Sequence, residues 1–122
     1  MSNLNDFLPN VQSFDMQNIT SSGSSDTSNP TVLDAGKDMY YFNFTPPGSS
    51  RYFQMPDGTT TGQRTMLVQK PANSGTGIQV KFTVEHHTTG PTMTYRSLQR
   101  DGNCNYDLVW NGTAWHFTSE DN

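Results

Sequence analysis

His86 and His87 stand side by side, and Cys104 and His116 follow further along the chain. These are the side chains of the 122-residue sequence best suited to hold a transition metal or to activate a nucleophile. Their spacing argues against both. Neighbours on a strand point to opposite faces, so His86 and His87 cannot grip one ion together. No CxxC, HxH or HExxH run is present, and no metal site is assigned. Cys104 lies in "DGNCNYD", where Asp101 and Asp107 disfavour a thiolate. The many Ser residues fall outside any GxSxG elbow. Asp38, Asp57, Glu85, Asp101 and Asp107 could supply paired carboxylates for glycoside chemistry, but most stand in turns where Asp serves the backbone. Gly48, Gly58, Gly62, Gly75 and Gly77 fit neither a GxGxxG nor a Walker pattern. The expectation is a non-enzymatic protein with no catalytic residue and no cofactor.

Aromatic side chains offer a different chemistry. Exposed, Tyr40, Tyr52, Tyr95 or Trp110 could stack on a glycan; buried, they would be core. Sequons at Asn18, Asn43 and Asn111 are expected by chance in a chain so rich in Asn and Thr.

The composition bounds what can position such groups. Hydrophobic residues make up 31% of the chain, charged residues 15%, and the net charge is −4. Leu, Ile, Val and Phe make up about 17%, low for a globular core, yet the small net charge does not suit a disordered chain. The mild acidity and lack of a basic run exclude a nucleic-acid footprint. No apolar run approaches a membrane span, and no basic-then-apolar leader is seen, so neither membrane nor secretion is expected. A single cysteine excludes an internal disulfide framework.

Periodicity supplies the elements. "MYYFNF" places Tyr40, Phe42 and Phe44 on one face, and "IQVKFTVE" alternates Ile78, Val80, Phe82 and Val84 with polar residues. "RYFQM", "RTMLVQ" and "TMTYRSL" read as further strands, separated by Gly/Pro-rich turns. Helical periodicity is absent. About seven short strands imply an all-β domain over residues 31–122, a small antiparallel sandwich, jelly roll or open barrel. "YDLVWNGTAWHF" closes it as a hairpin. A two-residue type I′ turn at Asn111-Gly112 would pair Trp110 with Thr113 and Leu108 with Trp115, and place Tyr106, Leu108, Trp110, Trp115 and Phe117 on a single, core-forming face.

Residues 1–30 read as an extended docking arm followed by a Ser/Thr-rich spacer, "NITSSGSSDTSNP". Phe7, Leu8, Val11 and Phe14 are its candidate anchors on a partner; an ordinary frayed terminus is the alternative.

Two stretches carry a resemblance. "MPDGTTTGQRTMLVQKPANSGTGIQV", followed after a spacer by "YDLVWNGTAWHF", resembles a domain type of tailed-phage virion proteins, marine phages especially. There an "LPDGTTxGQ" turn leads into a strand, then "sGtxIxV", and finally an "LVWdGtaW" hairpin. The likeness covers residues 55–117; the loop carrying His86, His87 and Cys104 departs from the pattern, and the chain is much shorter than a complete tail fibre. The resemblance implies a virion component made in the host cytoplasm. Length favours a capsid decoration (cement) protein bound to the major capsid protein or other virion proteins. The alternative is a tail fibre, knob or other host-adsorption protein that could bind a host glycan. A homo-oligomer is expected, a trimer by preference, which would complete a thin core.

Overall fold

The computed structural model describes residues 14–45, 49–70, 77–86, 90–98 and 105–118. They form nine strands and no helix: β1 (Met16–Ile19), β2 (Thr31–Val32), β3 (Met39–Phe42), β4 (Arg51–Gln54), β5 (Arg64–Gln69), β6 (Ile78–His86), β7 (Gly90–Ser97), β8 (Tyr106–Trp110) and β9 (Trp115–Phe117). The all-β expectation holds. The arrangement differs from the expected sandwich, jelly roll or barrel of about seven strands.

Strands that are consecutive in sequence do not pair over the first six elements. Instead β1, β3 and β5 stack in parallel, and β2, β4 and β6 stack in parallel as a second series. The chain therefore winds as a short solenoid, each coil giving one odd-numbered and one even-numbered strand. Alternation could not reveal this. A strand with one face inward shows period two whether its partner runs parallel or antiparallel.

The last three strands turn antiparallel and finish the coil. β7 folds back along β6, while β8 pairs with β5 and then with β9. β9 also meets β6 through Val84 and Trp115, joining the two series into one mixed sheet ordered β1-β3-β5-β8-β9-β6-β4-β2.

The core is the space enclosed by the winding. Phe42 of β3 meets Phe53 of β4 edge to face, with centroids 5.0 Å apart, and Phe44 flanks Phe53 at 6.0 Å. Ile78, Val80, Phe82 and Val84, the apolar face expected for β6, are all buried. Each such side chain contributes roughly 1.5–3 kcal/mol on burial, so a few large aromatics carry much of this thin core. Gln69 interrupts it. It continues the inner row of Ile19 and Phe42, is 4% exposed, and has no hydrogen-bond partner for its amide.

Residues expected to form a spacer are part of the winding. β1 pairs with β3, Ser24 bridges Tyr52, and Asp26 receives hydrogen bonds from the Ser28 N–H and hydroxyl, building a turn. The Ser/Asp-rich composition here makes a tight corner; those side chains satisfy the backbone locally. Gly23 suits the corner twice over: its φ is +73°, and a Cβ would meet Phe53 Cζ at 2.5 Å.

Two substitutions test this packing. At Gly58 a Cβ would run into Trp110, so Gly58→Ala is expected to cost about 1–3 kcal/mol in urea unfolding. Gln69→Met, which removes an unpaired buried amide at similar volume, is expected to raise stability by about 1 kcal/mol; a loss would mean that the amide is satisfied.

Candidate functional site

The terminal hairpin places its side chains on the faces expected, but in another register. Leu108 lies opposite Phe117, Val109 opposite His116, and Trp110 opposite Trp115. The connection is a four-residue loop rather than a two-residue turn. Asn111 organises it: its Oδ1 accepts from Thr113 N at 2.9 Å and Ala114 N at 2.8 Å, and its own N–H donates to Ala114 O at 3.0 Å. Gly112 takes φ +108°. The shift moves the pairing by two positions, so the strand residues keep their faces, while Ala114 falls in the loop and is buried. Leu108, Trp110 and Trp115 are buried, and Tyr106 and Phe117 pack against the core. Trp110 meets Trp115 edge to face at 5.3 Å, and Tyr106 meets Phe117 at 5.0 Å.

On the outer side of this hairpin three polar groups converge. The Asn111 side-chain amide donates to Glu85 Oε1 at 2.9 Å, and His116 Nε2 lies 3.1 Å from the same oxygen and 2.8 Å from the Asn111 nitrogen. These groups tie the hairpin loop to β6. Hydrogen bonding from Asn111, then from His116, holds the Glu85 carboxyl below its ordinary value of 4.5. Sequence alone offers Asn111 as a turn residue and a sequon, and His116 as a candidate metal ligand, with nothing to join them to Glu85. Glu85 lies 26 positions from Asn111, with no local signal to connect them.

The other candidates are dispersed. Phe7, Leu8 and Val11 lie outside the described residues, as do Asp101, Cys104 and His87. Phe14, the remaining proposed anchor, is 59% exposed at a cleft of about 360 Å³ whose walls include Asp38, Arg64, Met66 and Asp107. Asp38 accepts from Asp15 N, and Asp57 accepts from the Thr83 hydroxyl, so both carboxylates serve the scaffold. Among the described residues no three His, Cys, Asp or Glu side chains cluster around a point that could hold a metal.

The stacking platforms are largely engaged. Tyr40 is buried, which pushes its phenol upward, and its hydroxyl donates to Asp34 O at 2.6 Å. Tyr52 and Tyr95 pack on each other at 5.3 Å, and Tyr95 donates to Thr27 O. Trp110 is core.

A second cleft, about 300 Å³, opens at the start of the winding, where Ile19, Leu33 and Phe53 contribute apolar walls. Among the described residues β1 and β2 end the strand order there. Their outer backbone edges carry neither a charged side chain nor an internal proline, the usual devices that blunt an edge.

Comparison with protein-family models, with curated proteins and with solved structures finds no match for this chain.

The hairpin tie has a pH signature. Because the folded Glu85 carboxyl titrates below 4.5, its stabilisation is present above that pH and is lost as pH falls through the lowered value. Urea midpoints measured from pH 7 to about 3 should therefore fall further in the native chain than in Glu85→Gln. Parallel acid limbs would show that the tie contributes nothing. Asn111→Ala, which also strips the loop of its acceptor, should cost about 1–2 kcal/mol at neutral pH.

Proposed function

We propose that this chain is a non-enzymatic structural protein of a tailed-phage virion, attached to a larger assembly through the open end of its solenoid, and that its place is the head shell, as a decoration protein. The observation that carries this reading is the inequality of the two ends. One end is closed by a hairpin with buried tryptophans. The other offers the unblunted edges of β1 and β2 above an apolar cleft. Free edges are templates for an added strand, and main-chain hydrogen bonds with alternate side-chain seats would give both affinity and register. The likeness of "MPDGTTTGQ" and "LVWNGTAW" to phage virion domains supplies the setting. A protein that binds only the assembled shell stabilises it by mass action.

The solenoid itself favours a second reading, a tail fibre, knob or adsorption protein, because stacked coils are units from which shafts are built. A host glycan would then need a platform other than buried Tyr40 or Trp110; among the described residues exposed Phe14 offers a ring.

Electron microscopy of virions labelled with an antibody to this chain separates the two. Label at many regular positions over the head is the expected result. Label confined to the tail or one vertex would transfer the protein to the adsorption class, and unlabelled virions would end the virion reading.

A further inference from the structure

The outward sides of the two strand series are unlike. On the even-numbered side β6 turns Gln79, Lys81, Thr83 and Glu85 outward, and the exposed Val32 and Met93 stand among polar neighbours, in line with Gln54 and Lys81 and opposite Thr83. On the odd-numbered series the parallel register carries Met16, Met39 and Met66 into one line across β1, β3 and β5, ending on Asp107 of β8. Tyr41 and Val68 form the row beside it. Met16 is 43% exposed, and Phe14, just before β1, extends the patch. Contiguous apolar surface of this kind marks an interaction site, and methionine adapts readily to a partner's shape.

We propose that this methionine-lined face is where two copies of the chain pair about a two-fold axis. Charge complementarity points to a second copy. Arg64 and Asp107 both belong to the face, on neighbouring strands, diagonally placed beside Met66, with Arg64 opposite Val109 and Met66 opposite Asp107. Neither is in an ion pair among the described residues, whose ion pairs are Lys37–Asp15 and His116–Glu85. A two-fold axis lays a patch upon itself, so the patch must contain both members of each charge pair. This one does: Arg64 of each copy meets Asp107 of the other, and the methionine line is buried between them. The cleft of about 360 Å³ between Phe14 and Met66 leaves room for an apolar side chain from the second copy. The pair does not depend on the virion reading, since it forms in the isolated protein.

Light scattering on the full chain during size-exclusion chromatography, over a range of concentrations, tests the pairing. The expected mass is twice the 13.6 kDa of one chain. Met16→Lys and Met66→Lys should each return the single-chain mass with an unchanged far-ultraviolet circular dichroism spectrum. Met16 lies on the edge strand and is the safer variant should Met66→Lys fail to fold. Arg64→Asp and Asp107→Arg should each weaken pairing by about tenfold, and the double charge swap should regain most of the loss. A single-chain mass at every concentration, a trimeric mass, association unaffected by Met16→Lys, or a double swap no better than the singles would each overturn the proposal.

Discussion

β9 is three residues long, yet among the described strands it links the two series, pairing with β6 of the even one and with β8, which itself pairs with β5 of the odd one. Its hold on β6 is one residue pair, Val84 with Trp115. So slight a ladder cannot fasten two sheets by backbone bonding. The fastening comes from the Trp115 ring, which is 2% exposed, lies edge to face with Trp110, and donates its indole N–H to Pro56 O at 3.2 Å. Trp110 in turn lies against Gly58, so the loop after β4 is pinned under the hairpin. Two tryptophans thus close one end of a winding that would otherwise expose its core there. Large rings suit this task, since each buries more area than any aliphatic side chain.

That closure matters because the remainder of the core is narrow. A chain of this size buries a modest share of its surface on folding. Here, β6 with its four buried apolar residues apart, the inner face presents only one or two apolar positions per strand, such as Tyr40 and Phe42 on β3 or Phe53 on β4. Rings reaching across the interior, as Phe42 does to Phe53, make up in size for what the strands lack in number. Polar corners then hold the coils in place through local hydrogen bonds, as around Asp26 and Asn111. A sequence rich in Ser, Thr, Asn and Gly is therefore consistent with an ordered fold, because much of that polarity is spent on turning the chain.

On β5, where the inward row is Thr65, Leu67 and Gln69, alternation marked no face; the inward residues of β3, β6 and β8 were legible in the sequence, because alternation alone determines them. Partnership was not. Successive coils place Met16, Met39 and Met66 in line, but at unequal sequence intervals, and no regular repeat betrays a solenoid. The hairpin register went wrong for a chemical reason: Asn-Gly was read as a two-residue turn, whereas the Asn111 side chain draws Thr113 and Ala114 into a longer loop. The first coil was missed because its apolar content is slight; of β1, only Ile19 is buried. The tie among Glu85, Asn111 and His116 depends on the hairpin folding over β6 and left no local trace.

The unequal ends also limit what assemblies this fold can make. End-to-end growth of a solenoid needs two complementary faces, one offering strand edges and the other accepting them. The hairpin occupies the position where the next odd-numbered strand would lie beyond β5, and β8 runs antiparallel to it. A further parallel coil has no edge of β5 to join. The molecule can therefore end a stack but cannot extend one, and any repeated contact beyond that must go through a side. The methionine-lined side carries a continuous apolar row and both signs of charge. An open end that accepts one strand-bearing partner and a side that accepts one copy would give a closed assembly rather than a filament, which is the behaviour a subunit placed at fixed positions on a larger particle requires.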